Sequence, residues 1–239
     1  MMKINKDWRI KKVDNENICI MLGFPLDYYQ KRLAKIGFSG KDKIMLDAGC
    51  GAGHWSIAGS FLNKNVYGID LTPKYLDYAR ALKKGLLRQN LELAEGRIEN
   101  LPYKDDFFDY VICYSVWMFT DKNKTLEEFY RVLKPDGRLY IGSIIGLSWY
   151  PKLIFKAIGL GDLNLLVSSA KAIFKGIALK QKTVESLLSK HRFDQVAVGS
   201  DGQLGESSIK IKPIYHGKIL GIREVFEVLA RKKAKKRKI

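Results

Sequence analysis

Apolar and polar positions along this chain repeat in two registers, and the switches between them mark out its elements. Residues 25–37 (PLDYYQKRLAKIG) place apolar side chains at helical spacing and predict a short helix. KIMLDAGCG (43–51) runs apolar into glycines, as a strand entering a loop would, and HWSIAGSFLN (54–63) returns to helical spacing. VYGIDL (66–71) is a second apolar run that ends on an acid. Thr72 as N-cap, Pro73 at the first helical position and Gly85 as the stop frame a helix over 73–85. LELAE (91–95), FDYVICY (108–114) and RLYIGSII (138–145) predict three more strands. KTLEEFYRVLK (124–134) is the helix between the last two, and Pro135-Asp136-Gly137 is the turn into the final one. Five alternations of strand and helix predict a parallel sheet covered on both faces.

After residue 146 the pattern changes. Residues 147–180 are apolar and basic, with lysines interleaved among Trp149, Leu153, Phe155, Ile158, Leu165 and Phe174. TVESLLSKHRF (183–193) predicts a helix and QVAVGS (195–200) a strand. SIKIKPIY (208–215) and REVFEVLA (223–230) both alternate well enough to be strands, the second closing the sheet. No internal repeat or low-complexity linker interrupts the chain. The reading is a single domain over 1–239, with an N-terminal helical segment (1–40), an insertion at 147–180 and a basic tail at 231–239.

Composition narrows the class. With 239 residues, 46% of them hydrophobic, the chain can bury a core, which excludes general disorder. Three widely spaced cysteines (Cys19, Cys50, Cys113) exclude a disulfide framework and a CxxC metal site. No metal site is expected. There is no run of about 20 apolar residues and no signal-peptide core, so the expectation is a cytoplasmic protein without a transmembrane segment. The formal charge of +17 suggests nucleic acid at first sight. However, residues 231–239 contribute +7 and residues 1–12 contribute +4, which leaves only +6 over residues 13–230. Like-charge blocks of this kind are solvated tails more often than recognition surfaces.

The chemistry is concentrated in Leu46-Asp47-Ala48-Gly49-Cys50-Gly51-Ala52-Gly53-His54. A glycine loop between strand and helix lets a ligand approach the backbone, with the helix N-terminus offering amide hydrogens. The dinucleotide fingerprint GxGxxG would put its third glycine at His54, so the spacing here is GxGxG instead. Asp47 at the strand end would repel a pyrophosphate yet suits an ammonium group. No GK[ST] follows, which excludes a P-loop. Asp70 ends the second strand, where a carboxylate can accept both hydrogens of a ribose diol. An ammonium, a ribose and no pyrophosphate describe S-adenosylmethionine better than a nicotinamide dinucleotide.

LDAGCGAG, the acid in YGIDL, GRIENLPYKDDFFDYVICYS and RVLKPDGRLYI together resemble the successive motifs of class I S-adenosylmethionine-dependent methyltransferases, nearest to the branch with ubiquinone/menaquinone-biosynthesis and sterol enzymes. The resemblance covers about residues 42–145 and returns at FEVLARK. It implies an α/β, Rossmann-like, doubly wound and mostly parallel seven-stranded sheet with helices on both faces, and a helical lid in the insertion. It also implies that Gly49, Gly51, Ala52 and Gly53 wrap the methionine part of S-adenosyl-L-methionine, that Asp70 holds the ribose and that Leu71 lies against the adenine. The acid usual after the glycine of GRIENLP is Arg97 here; the backbone of Ile98 can still meet the base, and the acid contact is lost or passes to Glu99, while Arg97 itself stacks on the adenine or points to solvent. Tyr114 matches a position lining the methyl-transfer end. Tyr28 and Tyr29 lie where N-terminal helices of similar enzymes fold over the cofactor, which implies that a tyrosine hydroxyl, that of Tyr28 first, hydrogen-bonds the cofactor's carboxylate.

Methyl transfer from a sulfonium is an in-line displacement, so a general base is needed only when the nucleophile begins protonated. His54 and Tyr114 are the candidates for a chemical role; His191 and His216 read as surface residues, and Cys113 and Cys50 as core and loop fillers. The [DNS]PPY tetrapeptide of base amino-methyltransferases is absent, with CYSV (113–116) in its place. The leading expectation is a small-molecule acceptor, apolar or anionic. An RNA methyltransferase using the basic ends for phosphate contacts, and a non-catalytic cofactor-binding module, stay open. For the 147–180 insertion three readings stand: a lid over an apolar pocket, a peripheral membrane contact or helices packed on the sheet.

Overall fold

A computed structural model describes residues 24–205, 208–214, 218–219 and 222–233. Residues 1–23, with Cys19 and the first basic block, lie outside the described residues, as do His216 and positions 234–239 of the basic tail.

The elements follow the hydrophobic pattern closely. Helix α1 (Leu26–Lys35) precedes β1 (Gly40–Ala48), α2 (His54–Leu62) and β2 (Asn63–Asp70). Helix α3 (Pro73–Gly85) leads to β3 (Leu91–Glu95) and β4 (Phe108–Tyr114); a 3-10 turn (Trp117–Phe119) then enters α4 (Lys122–Val132). Strand β5 (Leu133–Ile145) is followed by helices α5 (Trp149–Leu160), α6 (Leu163–Phe174) and α7 (Gln181–Lys190). Strand β6 (Phe193–Ser200), a short hairpin of β7 (Lys218–Ile219) and β8 (Ile222–Arg223), and β9 (Val225–Lys232) complete the chain.

Among the described residues the main sheet has seven strands in the order β3-β2-β1-β4-β5-β9-β6. Strands β1 to β5 pair in parallel, whereas β9 runs antiparallel to both β5 and β6. The sheet is therefore mixed, which corrects the expectation of a parallel sheet drawn from the helix–strand alternation. The alternation stops at β6, and an antiparallel neighbour can be reached without the crossover helix that parallel pairing needs.

Both faces of the central strands are buried, which is why they read as continuous apolar runs. Met45, Val66, Tyr110 and Ile112 point to the face covered by Leu33 of α1 and Ile57 and Ala58 of α2. Leu46, Val111, Cys113 and Ile141 point to the opposite face, against Leu126 and Phe129 of α4 and Val184 and Leu188 of α7. Strand order reverses between β1 and β4. The loops leaving their carboxyl ends consequently turn to opposite sides and open a crevice, the usual ligand position in such sheets.

Three local expectations change. Thr72 is the N-cap of α3, but its side chain makes no capping bond; its amide instead donates to Asp70 Oδ1 at 2.8 Å. The left-handed residue after α3 is Leu87 (φ 51), not Gly85. SIKIKPIY is not a strand across its described residues, 208–214. Pro213 lacks a ladder donor, and neighbouring backbone groups are taken by side chains: Ile214 N donates to Asp201 Oδ2 at 2.7 Å, and Lys212 O accepts from the Tyr28 hydroxyl at 2.9 Å.

The insertion folds as a helical hairpin. Gly161, left-handed at φ 65, ends α5, and Asp162 caps α6 by accepting from Leu165 N at 2.9 Å. The two helices pack chiefly against each other. Between them they bury only Tyr150, Ala157 and Ser169 among residues whose side chains are described, so the packed-on-the-sheet reading does not hold.

Candidate functional site

The loop after β1 carries three left-handed glycines, and the surroundings of each differ. At Gly53 (φ 86), the N-cap of α2, an added Cβ would stand 2.8 Å from the Ala79 Cβ, so this glycine brings α2 close to α3. At Gly51 (φ 51) an added Cβ would meet nothing within 4 Å, so the space in front of this residue is open for a ligand. Both positions need φ values that a side chain resists.

Asp70 ties this loop to β2. Its Oδ2 accepts from Gly51 N at 2.8 Å and its Oδ1 from Thr72 N at 2.8 Å. A carboxylate offers about four lone-pair sites, so two remain. The loop backbone continues the connection, with Gly49 N and Cys50 N both donating to Ile69 O.

At the crevice lies a cavity of about 470 Å³. Its walls bring together Gly49, Gly51, Ala52, His54, Asp70 and Tyr114 of the sequence-predicted set. Trp55, Tyr75, Ser115 and Ser143 also line it. Met118, Phe119, Ile145, Trp149, Tyr150 and Val225 add apolar and aromatic wall. Trp149 and Tyr150 open α5 within the insertion, so the expectation that it covers a pocket holds for this turn of the helix.

Other predicted residues are placed elsewhere. Gly53 packs between helices, Leu71 is exposed beside Asp70, and the side chain of Ile98 is buried in the core. Of the two readings of Arg97, the structure takes the solvent one: the side chain is 62% exposed and pairs with Glu99 Oε1 at 3.5 Å. Tyr28 directs its hydroxyl to Lys212 O and accepts from Arg32 Nη1 at 3.1 Å, away from the cavity. Tyr29 is fully buried, edge-on to Trp55 at 5.1 Å.

Asp47 sits behind the loop rather than on the wall. It is 1% exposed; Oδ2 accepts from Ser56 Oγ at 2.6 Å, and Oδ1 has no hydrogen-bond partner among the described residues. Burial pushes this carboxyl up to about 7, with the Ser56 hydrogen bond opposing. The folded value is raised above the unfolded one, so the carboxyl's contribution to stability is complete below about pH 4 and is lost as pH rises through about 7. Wild-type protein should lose up to about 1.4 kcal/mol per pH unit through that window from this group. Asp47→Asn should flatten the dependence, as urea midpoints measured from pH 4 to 8 would reveal; equal slopes in both proteins would refute it.

His54 lies in the first turn of α2 at 3% exposure, its ring 5.5 Å from that of Tyr29. Burial pushes the imidazole down to about 4, so it is neutral at pH 7 and holds an abstracted proton poorly. Burial also pushes the Cys50 and Cys113 thiols up, consistent with filler roles. His191 stays at the surface, bonded to Asn123 Oδ1 at 3.0 Å.

Two features were absent from the sequence reading. Ser115 and Ser143, at the cavity ends of β4 and β5, both have positive φ (64 and 55), and their hydroxyls bond at 2.8 Å. Left-handed non-glycine residues of this kind cluster at functional sites. The second feature is a buried ionic network under Tyr114. Arg32 Nη2 donates to Asp201 Oδ1, to Glu227 Oε2 at 2.7 Å and to the Tyr140 hydroxyl at 2.8 Å. The Tyr114 hydroxyl donates to Asp201 Oδ1 at 3.2 Å and accepts from Arg32 Nη1 at 3.5 Å. Arg32, Asp201 and Glu227 are each about 1% exposed. Nothing in LDYYQKRLAK distinguishes Arg32 from Lys31; its partners are 169 and 195 residues away.

Comparison with known proteins places this geometry. A family model described as "Methyltransferase domain" matches residues 39–196, more than half of the chain. A demethylmenaquinone methyltransferase of Lactobacillus johnsonii is 35% identical over 151 residues, covering 57% of this chain and 60% of that protein. The chain covers less than two thirds of the length of such curated relatives. Among solved structures, a putative methyltransferase from Bacillus halodurans superposes with a TM-score of 0.60 at 20% identity, over 87% of this chain and 99% of the other. The Haemonchus contortus phosphoethanolamine N-methyltransferase 2, solved in complex with S-adenosyl-L-methionine, gives 0.55 at 22% identity over 73% of this chain and 38% of that one.

Proposed function

The chain belongs to the methyltransferase domain family, and from that premise we propose that it transfers a methyl group from S-adenosyl-L-methionine to a small-molecule acceptor with an apolar or aromatic body. The observation that carries this reading is the junction of Asp70 with the glycine loop on the wall of a cavity that aromatic and aliphatic side chains also line. When bound, S-adenosylmethionine supplies a methyl group on a cationic sulfur.

The residues present fit that molecule. Gly51 leaves open space for close approach to the backbone, and Asp70 keeps two lone-pair sites for a ribose diol. The orphan oxygen of Asp47 lies behind the loop, and a cationic ammonium bound nearby would favour its ionised form. Leu71, exposed next to Asp70, would cover one face of the adenine. With Arg97 and Glu99 paired to each other, recognition of the adenine rim would rest on backbone groups near Ile98. The rings of Tyr114 and Trp55, 5.0 Å apart on the wall, would face the cationic sulfur with their electron-rich surfaces. Tyr28 would act at one remove, through Arg32.

On the acceptor side, neutral His54 and the Ser115–Ser143 pair would orient a polar group by hydrogen bonding, while Met118, Phe119 and Trp149 hold the body and exclude water. The L. johnsonii relative is named for a quinone substrate, and an aromatic-lined cavity suits a ring of that kind.

A melting series tests the cofactor assignment. S-adenosylmethionine and S-adenosylhomocysteine, each at a hundred times its Kd, should stabilise the chain by about 2.7 kcal/mol. NAD should leave the transition unmoved. A shift with NAD and none with the first two would sink the reading.

A further inference from the structure

The α5–α6 hairpin leaves a surface that the cavity does not use. Phe155, Ile158 and Leu160 of α5 and Leu163, Val167 and Phe174 of α6 are all exposed, Phe155 at 76% and Phe174 at 91%. Apolar side chains are common singly on protein surfaces, but with Ile173 these make seven on one short hairpin, a density of the kind that marks an interaction site.

Charge accompanies this patch in a regular way. On α6, Leu163, Val167 and Phe174 share one face by helical spacing. Lys171 lies one turn from Val167 and three residues from Phe174, and Lys175 follows at the edge of the same face. Lys156 lies next to Phe155 on α5. Residues 147–180 hold five lysines and one aspartate, a net charge of +4. Each helix has 12 residues and is about 18 Å long at 1.5 Å per residue. That is far short of a hydrocarbon core of about 30 Å, and no helix among the described residues is long and apolar enough to cross a membrane. Short helices with an apolar face edged by lysines lie in the plane of a lipid surface.

From this arrangement we propose that the α5–α6 hairpin docks the protein on an anionic lipid bilayer, with Phe155 and Phe174 entering the acyl boundary and Lys156, Lys171 and Lys175 meeting the headgroups. Charge complementarity selects this occupant. A second copy joined by a two-fold contact would set the basic hairpin against its own image, whereas anionic headgroups neutralise the same lysines. The inference does not rest on methyl transfer. It adds a location to the site, because Trp149 and Tyr150 at the start of α5 also wall the cavity.

Flotation of the full chain with phosphatidylcholine vesicles, with and without phosphatidylglycerol, tests this. Wild type should float with the anionic vesicles and far less with pure phosphatidylcholine. Phe155→Ser/Phe174→Ser should lower partitioning by more than about tenfold, since burying one phenylalanine side chain is worth about a decade or more. Lys171→Glu/Lys175→Glu should weaken binding to anionic vesicles only. Melting temperature and S-adenosylmethionine binding should be unchanged in both variants, because the replaced side chains are exposed. The proposal is overturned if wild type ignores anionic vesicles. It is equally overturned if the phenylalanine variant binds as tightly as wild type, since the basic termini would then carry the binding. A wild-type dimer that the phenylalanine variant dissolves would assign the patch to self-association instead.

Discussion

Arg32→Met should cost the protein about 3–5 kcal/mol, the penalty for stranding buried carboxylates whose cation has been removed. The side chain carries one charge to two carboxylates, and all three groups are sealed from solvent. Glu227 also accepts from the Tyr140 hydroxyl at 2.6 Å and from the amides of Gly202 and Leu204, and Asp201 accepts from Tyr114 and Ile214. These neutral donors would remain, but the charge they surround would not be balanced. A loss of this size is a large share of the total stability of about 5–15 kcal/mol. Arg32→Lys should be milder, keeping the charge and losing the planar fork that reaches both acids. Urea midpoints of the three proteins at pH 7 decide the matter. Equal midpoints would mean that the network contributes nothing net. Because Arg32 and Asp201 also hold the Tyr114 hydroxyl, Arg32→Lys should weaken S-adenosylmethionine binding more than its stability loss explains.

Asp70→Ala is the second large effect, and it should appear in binding rather than folding. The substitution removes the acceptor for Gly51 N and Thr72 N and both lone-pair sites offered to a ribose diol. Hydrogen bonds to a charged group contribute about 1.5–3 kcal/mol each, so losing two ligand contacts should weaken S-adenosylmethionine at least about a hundredfold. Gly51 lines the cavity and Thr72 is half-buried, so both freed amides can be hydrated and the melting temperature of ligand-free protein should fall only modestly. Calorimetry at matched protein concentration measures both sides of this. Undiminished affinity in Asp70→Ala would remove Asp70 from the ligand's contacts.

How far the site was legible in the sequence depends on the range of the contacts concerned. The loop from Asp47 to His54 and the acid at Asp70 lie on one β-α-β unit, where strand pattern and glycine spacing fix the local geometry. Gly49, Gly51, Ala52, His54 and Asp70 accordingly line one cavity. Spacing alone cannot separate a glycine that faces a ligand from one that faces Ala79, as Gly53 does. SIKIKPIY alternates like a strand, but Pro213 and the side chains of Tyr28 and Asp201 claim its backbone groups, and those partners are remote in sequence. The direction of β9 was hidden for a similar reason, since alternation gives a strand's faces and not its polarity. The Arg32 network needs four segments brought together by the complete fold, and no local pattern announces it. The hairpin's apolar residues were visible at once, yet whether they face inward or outward is a property of packing that composition does not carry.

The central claim is that the open space before Gly51 belongs to the methionine end of S-adenosylmethionine. Gly51→Val tests it directly, because a Cβ there meets nothing within 4 Å beyond its chain neighbours, so the main cost is the left-handed backbone. That strain should cost about 1–3 kcal/mol of stability and leave the protein folded. Titration calorimetry of S-adenosylmethionine into the two folded proteins should give one micromolar site in wild type and no measurable heat in Gly51→Val. Absence of binding in folded wild type, or equal affinity in both proteins, would contradict the account.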